Sequence, residues 1–326
     1  LFAPTPTRAY LAPPSHEAKG DTAMTDRPLS IACLGEAMVE LSLDGDIAHL
    51  GFAGDTLNTA IYLRRSLPDV HRVSFVSAVG QDMLSDRMVA RIADEDVLTD
   101  HITRHADRIA GAYAIETDTS GERSFVYWRD TSAARTMMTP DSPIQPETLS
   151  QFDVVHLSAI TLAILAPQAR AALMSWVPGY RASGGRIAFD SNYRPRLWED
   201  VPTAQSAVAA MWRETDIGFP SVDDEMALFG DADTAAVMAR IEGYGVPTGA
   251  LKRGESGPLP IGARFDATYA PCDKVVDTTA AGDSFTGGYL AAWLSGADQA
   301  AALQTGHSLA CRVIGYRGAI IPRSGP

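Results

Sequence analysis

The run DTTAAGDSFTGGYLAAWL, residues 277–294, has the composition of an anion site. A polar turn opens a helix here, so unpaired backbone N–H groups and the positive end of the helix dipole converge on one point. Ala280, Ala281 and Gly282 are small enough to let a phosphate approach the main chain. Asp283, in the first helical turn, could take a proton from a hydroxyl that attacks phosphorus. Alternatively, Asp283 only complements the helix dipole.

A second candidate site lies on the segment SFVYWR, residues 124–129. The two-residue period of a β-strand puts Phe125, Tyr127 and Arg129 on one face, with Val126 and Trp128 on the other. A tyrosine hydroxyl and a guanidinium on one face can bind a carboxylate, the arginine in a two-pronged contact. This interpretation predicts an acidic substrate, and the alternative is a cross-strand salt bridge of Arg129.

Two more segments place polar or glycine residues after predicted strands. Asn192 and Arg194, in FDSNYRPRLW, follow a strand at the carboxyl edge of a parallel sheet, where α/β proteins bind ligands. Asp190 is expected only to cap that loop. LKRGESG, residues 251–257, is a strand with a glycine loop, which by itself predicts a turn. The sequence has no GxxxxGK[ST] or GxGxxG pattern, which excludes the P-loop and Rossmann phosphate sites.

The elements that must position these residues alternate between short apolar runs and segments of helical period, the pattern of a parallel sheet covered by helices. The predicted strands are 31–34, 73–79, 154–157, 187–189, 217–219 and 250–252. The predicted helices are 56–67, 83–94, 168–183, 204–214, 234–244, 280–294 and 298–315. Residues 36–53 and 108–130 have period-two patterns and turn sequences, which predict a small antiparallel sheet. Residues 1–23, proline-rich and without an apolar period, are predicted to be a disordered extension.

Composition excludes several classes of function. The chain of 326 residues is 46% hydrophobic and 21% charged, which allows a sizeable core. Its net charge of −13 would repel nucleic acids and anionic membranes. With neither a membrane-span pattern nor a signal-peptide pattern, the sequence predicts a cytoplasmic protein that has no nucleic-acid or membrane partner.

The cysteines and histidines carry no recognisable site. Cys33, Cys272 and Cys311 are far apart and in no CxxC spacing, which predicts reduced, packed thiols with neither a disulfide framework nor a metal site. Neither His156 nor His307 has a partner at ligand or triad spacing, so no catalytic role is predicted for them.

The run DTTAAGDSFTGGYLA resembles the signature of the phosphofructokinase B, or ribokinase-like, carbohydrate kinases. This resemblance implies an α/β fold for residues 30–326, with a three-layer α/β/α core, a mostly parallel sheet and a small β-sheet lid from about 36–53 and 108–130. It makes Asp283 the catalytic base and Ala280–Gly282 the turn that stabilises the transferred phosphoryl group. The family more often has glycine at Ala280, where a methyl is tolerated if φ is negative.

The same resemblance implies the rest of the site. GFAGDTLNTA, residues 51–60, is similar to the family's sugar-binding glycine motif, and Asp55 is expected to cap the helix there as well. The implied sugar-binding residues are Gly54, Asp55, Asn58, Tyr113, Tyr127, Arg129, Ile160, Arg194 and Asp283. The implied nucleotide-binding residues are Asn192, Arg194, Lys252, Gly254, Gly257 and Gly282.

ATP and Mg²⁺ are the implied cofactors, with a monovalent cation as a further candidate. Many family members carry NxxE on a loop in the metal region. The corresponding segment here is SVDD, residues 221–224, which leaves Asp224 as a candidate for the outer shell of Mg²⁺.

A narrower resemblance concerns the substrate. Five segments spread over the chain resemble bacterial 2-keto-3-deoxygluconate kinases of the proteobacterial type: GFAGDTLNTA, YAIETDTSGERSFVYWR, LSAITLAIL, FDSNYRPRLW and YRGAIIPR. The resemblance implies ATP-dependent phosphorylation of this sugar acid at its 6-hydroxyl, and a homodimer formed through the lid. The alternatives are a fructokinase or another sugar kinase of the same fold, which Arg129 and Arg194 disfavour, and a non-catalytic sugar-acid sensor, which Asp283 disfavours.

Overall fold

The computed structural model describes residues 27–117 and 123–323. The strands are β1 Ser30–Leu34, β2 Met38–Asp44, β3 Ile47–Ala53, β4 Arg72–Val79, β5 Ile102–Arg104, β6 Gly111–Thr117, β7 Arg123–Trp128, β8 Val154–Ser158, β9 Arg186–Asp190, β10 Ile217–Phe219, β11 Gly249–Leu251 and β12 Leu259–Ile261. The helices are α1 Asp55–Ser66, α2 Met83–Ala93, α3 Ala159–Ile164, α4 Pro167–Ala182, α5 Val201–Arg213, α6 Val222–Phe229, α7 Thr234–Gly243, α8 Ala281–Leu294 and α9 Gln299–Ile314. The predicted extension, residues 1–23, and the turn at 118–122 lie outside the described residues.

The main sheet has eight strands in the order β12-β11-β10-β9-β8-β1-β4-β5. Its neighbouring strands run parallel except at the β11–β12 edge, where the pairing is antiparallel. From β1 the chain first extends the sheet through β4 and β5, and then returns to the other side of β1 at β8. Since α/β sheets bind ligands at the carboxyl edge where the strand order reverses, the ends of β1, β8 and β9 are where a site is expected.

Helices cover both faces of this sheet. Alternate residues of β1 belong to different cores: Ala32 and Leu34 pack with residues of α3 to α7, whereas Ile31 and Cys33 pack with residues of α1, α2, α8 and α9. Strands that are buried on both faces must be apolar at every position, which explains the continuous apolar runs in the sequence. The predicted three-layer α/β arrangement is confirmed.

The second sheet has four strands in the order β3-β2-β6-β7. The β2–β3 and β6–β7 pairs are antiparallel hairpins, but β2 and β6 run parallel, from Met38 opposite Gly111 to Leu43 opposite Glu116. The prediction of a wholly antiparallel sheet is therefore wrong. The chain between β2 and β6 passes through β4, α2 and β5 of the main domain, and such a crossover permits parallel pairing, unlike a short turn.

Each predicted strand and helix overlaps an observed element. Among the strands and α-helices given above, β5, β12, α3 and α6 were not predicted. The segment SVDD, expected in a loop, forms the start of α6, with Ser221 as N-cap and Asp224 in the first turn. Three acidic residues in that turn complement the helix dipole, which favours a helix there. Among the described residues, no helix has both the length and the apolar character needed to cross a membrane.

Candidate active site

The turn before α8 has the backbone of an anion site, with one unexpected angle. Ala280 is the N-cap residue of α8 and has φ +59°. The condition under which a methyl is tolerated here, a negative φ, is therefore not met, and a left-handed alanine costs about 1–2 kcal/mol. The Asp277 carboxylate supports the turn, because Oδ1 accepts a hydrogen bond from Thr279 N at 2.8 Å and Oδ2 accepts one from Gly318 N at 2.9 Å.

Helix α1 packs against α8 and supplies a partner for Asp283. Asn58 Nδ2 donates a hydrogen bond to Asp283 Oδ2 at 2.8 Å. Thr59 Oγ1 donates to the Asp283 main-chain oxygen at 3.3 Å. The close approach of the helices depends on Gly287, where an added Cβ would lie 2.9 Å from Leu63 N. Asp283 is thus held in one orientation at the start of α8.

The surroundings of Asp283 change its acidity. Removal from water raises the pKa of Asp283 to about 7, and the negative charge of Asp55 acts in the same direction. The hydrogen bond from Asn58 opposes this rise. A carboxylate with a pKa near 7 is well matched to general-base catalysis at neutral pH, because a large fraction of it is ionised there and the ionised form accepts a proton readily.

A pH profile tests this arrangement. Because a base must be deprotonated to act, kcat/KM is expected to be constant above the pKa of Asp283 and to fall about tenfold per pH unit below it, with a midpoint at about 7. Steady-state rates from about pH 5 to about pH 9 measure the midpoint. In Asn58→Ala, which removes a hydrogen bond that lowers this pKa, the midpoint should move to higher pH. A flat profile down to about pH 5 would contradict the role of Asp283.

A lysine lies beside the same helix start. Lys252 Nζ donates to Asp190 Oδ2 at 2.5 Å, and Thr286 Oγ1 donates to the same oxygen at 3.1 Å. A Cβ added at Gly282 would lie 3.4 Å from Lys252 Nζ, so the bare backbone of Gly282 leaves room next to the ammonium. A helix N-terminus and a fixed cation therefore face one space, which fits a phosphate.

Asp190 has a larger role than the sequence indicated. Its Oδ1 accepts a hydrogen bond from Asn192 N at 3.2 Å, so the predicted loop cap is confirmed. Its other oxygen holds Lys252, a contact that the sequence analysis missed. The signal for it was the position of Asp190 at the carboxyl end of β9.

Asp55 joins three segments at the start of α1. Asn192 Nδ2 donates to Asp55 Oδ2 at 3.1 Å, and the Ser158 hydroxyl donates to the same oxygen. The predicted capping by Asp55 is wrong, because Gly54 is the N-cap and Asp55 is the first helical residue. A Cβ at Gly54 would lie 2.1 Å from the Glu36 main-chain oxygen, so only glycine allows this approach.

The predicted aromatic residues of the second sheet do lie together. The rings of Tyr113 and Tyr127 are 5.8 Å apart, and that of Phe125 lies 6.0 Å from Tyr127. The Tyr113 hydroxyl donates to Glu40, and burial raises the pKa of that hydroxyl. Tyr127 is 47% exposed, so its ring is accessible to a ligand.

Arg129 already has a partner within the protein. Its guanidinium is buried and forms an ion pair with Glu36, with Nε donating to Glu36 Oε2 at 2.9 Å. Of the alternatives given by the sequence, a salt bridge is therefore present, although its partner follows β1 and is not on a neighbouring strand. Among the described residues Glu36 Oε1 has no hydrogen-bond partner, so this buried pair is incompletely satisfied.

The remaining predicted residues lie around this centre. Ile160 is buried in α3, and Gly254 and Gly257 both have left-handed φ angles, +54° and +73°. Arg194 Nη1 donates to Asp224 Oδ1 at 3.2 Å. Burial raises the pKa of Asp224, and the charge of Arg194 opposes that rise.

Among the described residues, the acidic side chains do not form a preassembled cation site. In residues 27–117 and 123–323, the only group of three or more His, Cys, Asp or Glu side chains close enough to share one ion is Cys272, His307 and Cys311. The described acidic side chains therefore form no complete protein cage for a metal ion, and the outer-shell role of Asp224 stays a prediction.

Residues 29–324 match the pfkB family of carbohydrate kinases. The chain belongs to this family. It is 44% identical over 300 residues to a 2-dehydro-3-deoxygluconokinase of Dickeya dadantii (strain 3937), covering 90% of this chain and 97% of the relative.

Solved structures of pfkB-type kinases have the same fold. A 2-dehydro-3-deoxygluconokinase from Thermotoga maritima has a TM-score of 0.78 at 21% identity, covering 90% of this chain and 95% of that chain. A putative ribokinase II from E. coli, in complex with ATP and Mg²⁺, has a TM-score of 0.77 at 23% identity, covering 90% of this chain and 94% of that chain. The predictions of a ribokinase-like fold and of a carbohydrate kinase are confirmed.

The cysteines of this carbohydrate kinase differ from the prediction. Cys33 is a buried free thiol, as expected, but Cys272 and Cys311 form a disulfide bond. They are 39 residues apart in sequence, and the fold brings the loop before α8 against α9. Next to them, a cavity of about 650 Å³ lies between residues 270–274 and α9, hereafter the α9 cavity, and its lining includes Cys272, Gln304, His307, Ser308 and Cys311.

Proposed function

We propose that this pfkB-family kinase transfers the γ-phosphoryl group of ATP to the 6-hydroxyl of 2-keto-3-deoxygluconate, also called 2-dehydro-3-deoxygluconate, giving ADP and the 6-phosphate. The observation that carries the proposal is Asp283, a carboxylate with a pKa of about 7 at the start of a helix and beside Asn58. The name of the 44% identical relative supports the choice of sugar.

Three groups of the chain would act on the phosphates. The positive N-terminal end of α8 and the Lys252 ammonium would stabilise negative charge on the transferred phosphoryl group. Asp283 takes the proton from the attacking hydroxyl, which makes that oxygen a better nucleophile. When bound, ATP would supply the phosphoryl group and Mg²⁺ would neutralise part of its charge. Asp224 and Arg194, which are hydrogen-bonded to each other, are the residues that would hold them.

The sugar would lie between α1 and the second sheet. Asp55, Asn58 and Asn192 offer hydrogen-bond partners for hydroxyl groups on one side. Tyr113 and Tyr127 offer ring faces and hydroxyls on the other side. In this arrangement the second sheet acts as a lid, and its closure would exclude water that otherwise competes with the sugar for the phosphoryl group.

The α9 cavity would receive the base and ribose of the nucleotide. Residues 270–274, one wall of the cavity, lead along the chain into the turn at Ala280. A side chain on Gly257 would contact the Tyr269 ring, and that ring lies 4.9 Å from the His307 ring in the cavity lining. The predicted phosphate loop and the α9 cavity are therefore in contact through Tyr269.

The second sheet also supports a homodimer. Val126 and Trp128 of β7, at one edge of this sheet, are 54% and 58% exposed, large apolar surface for a monomer. A second copy that packs on β7 would cover them. Sedimentation or size-exclusion measurements should show a dimer, and Trp128→Glu should shift it to monomer by placing a charge in the contact.

A substrate panel tests the proposed reaction. With ATP and Mg²⁺, kcat/KM for 2-keto-3-deoxygluconate should exceed that for fructose or ribose by at least about 100-fold, because the carboxylate of the sugar acid would contact Arg129 and a neutral sugar cannot make this charged contact. Gluconate, which keeps the carboxylate but lacks the 2-keto group, should be intermediate. Equal or faster turnover of fructose would contradict the proposed substrate and favour a fructokinase, and no turnover of any sugar would favour a sensor.

A further inference from the structure

The disulfide of this chain connects two walls of the α9 cavity. Cys272 lies on the loop that precedes α8, and Cys311 lies in the last turns of α9. Both sulfur-bearing side chains are partly buried and line the cavity, so small molecules in the cavity can approach the bond. None of the residues proposed for the phosphoryl transfer itself belongs to this pair.

The linked loop leads directly to the phosphate site. Val276 N and Asp277 N both donate to the Ile314 main-chain oxygen, at 2.7 and 3.1 Å, and the turn at Ala280 follows. Upstream, His307 Nε2 is hydrogen-bonded to the Ala270 oxygen at 2.7 Å. The segment between Ala270 and Val276 thus has hydrogen bonds to α9 at both ends, and Cys272 adds a covalent link between them.

His307 gives the pair the surroundings of a reactive thiol. Its Nε2 lies 3.5 Å from Cys311 Sγ. Since the Nε2–H of His307 is donated to the Ala270 oxygen, the ring acts on Cys311 through the positive charge that it carries when protonated, which stabilises a thiolate, the species that attacks a disulfide. When the bond is reduced, Cys311 is therefore the expected nucleophile for closing it again.

We propose that Cys272 and Cys311 are a reversible thiol–disulfide site that controls how tightly the α9 cavity binds a nucleotide, an inference that rests on the proposed function of that cavity. A low-molecular-weight dithiol reduces the bond: one of its thiolates attacks a sulfur and releases a cysteine thiolate, and its second thiolate displaces the other cysteine. Two electrons pass to the protein, which gains two thiols, and the dithiol becomes a disulfide. A low-molecular-weight disulfide carries out the reverse exchange.

The oxidised form should bind nucleotide more tightly. The disulfide ties residues 270–274 to α9 covalently, so this loop is ordered without any contribution from a ligand. After reduction the loop is less ordered, so part of the free energy of nucleotide binding is used to order it. The dissociation constant for ADP is expected to rise about 3- to 10-fold on reduction, as the fraction of binding-competent protein falls.

Titration calorimetry with ADP tests this on the full chain in a buffer with a chelator, which removes any metal ion held by the two thiols and His307. One sample is oxidised with a low-molecular-weight disulfide and one is reduced with a dithiol. Since the chain has three cysteines, thiol titration after denaturation should find one free thiol in the oxidised sample and three in the reduced sample. Three free thiols in both samples, or equal ADP affinity in both, would overturn the proposal.

Variants separate this pair from other effects of the reagents. Cys272→Ser and Cys311→Ser should each bind ADP with the affinity of the reduced protein in either reagent. Cys33→Ala is the matched control, because Cys33 is buried outside the pair, and it should keep the full response. If a serine variant fails to fold, the two wild-type samples still decide the question.

ADP binding needs no sugar, so this test is separable from that of the proposed reaction. An ADP affinity that responds to reduction in a protein that phosphorylates no sugar would refute only the proposed reaction. An active sugar kinase whose ADP affinity does not respond would refute only the thiol–disulfide site.

Discussion

Asp283→Asn is expected to lower kcat by about 10²- to 10⁴-fold, the usual contribution of a general base. Asparagine keeps the shape of the side chain and can still accept the hydrogen bond from Asn58, but it cannot take up a proton. ADP affinity should change little, because the helix N-terminus and Lys252 remain. Coupled-assay rates and calorimetry on the same preparation measure both quantities.

The same variant should not lose stability. Burial raises the pKa of Asp283 to about 7, above its value in the unfolded chain, so the folded state binds the proton more tightly. The stability of the native protein therefore falls as pH rises from the unfolded pKa to about 7, and the neutral amide escapes this penalty. We expect the Tm of Asp283→Asn to equal or exceed that of the native protein above neutral pH.

A matched control separates a catalytic aspartate from one that only complements a helix dipole. Asp223 also lies in the first turn of its helix, α6, and is exposed. Asp223→Asn should leave kcat unchanged and lower stability by at most about 1 kcal/mol. Near-native turnover in Asp283→Asn, or an equal loss in both variants, would remove Asp283 from the catalytic role.

Arg129→Ala is expected to have the largest effect on stability of the changes considered. It leaves the Glu36 carboxylate buried without its ion-pair partner, which typically costs about 3–5 kcal/mol. For a chain of this size that corresponds to a Tm lower by roughly 5–10 °C. Thermal unfolding followed by circular dichroism measures the shift.

This cost complicates the use of Arg129→Ala to test the substrate, so a second variant is needed. Glu36→Gln combined with Arg129→Met removes both charges and should recover most of the lost Tm, since no buried charge is left unpaired. If Arg129 also binds the substrate carboxylate, kcat/KM of the double variant for 2-keto-3-deoxygluconate should fall by an amount that corresponds to about 2–5 kcal/mol of lost transition-state stabilisation. Most of this fall should come from a higher KM. Turnover of a neutral sugar such as fructose should be nearly unaffected.

Arg129→Lys supplies the intermediate case. An ammonium keeps the charge but not the planar, two-pronged geometry, so only part of the sugar-acid activity should return. An equal loss for sugar acid and fructose in the double variant, or no loss for either, would make Arg129 a purely structural partner of Glu36. The preference for a sugar acid would then rest on the relatives alone.

The sequence by itself determined the features that arise within a few residues. The start of α8 and the position of Asp283 in its first turn follow from a polar turn before a helix. The burial of the main sheet on both faces follows from apolar runs that do not alternate with polar residues. These patterns depend on backbone geometry with periods of two or 3.6 residues. Local spacing therefore sufficed to predict them.

Only the tertiary structure decided which side chains meet. Asn58 and Asp283 are 225 residues apart, Lys252 and Asp190 are 62 apart, and Arg129 and Glu36 are 93 apart. Local period does not specify strand order, and here strand order brings the ends of β1, β8 and β9 to one edge. The same reason explains the unpredicted disulfide, because Cys272 and Cys311 come together only when α8 and α9 pack. The turn that contains Ala280 likewise has a distant support, the hydrogen bond between Asp277 and Gly318, which are 41 positions apart.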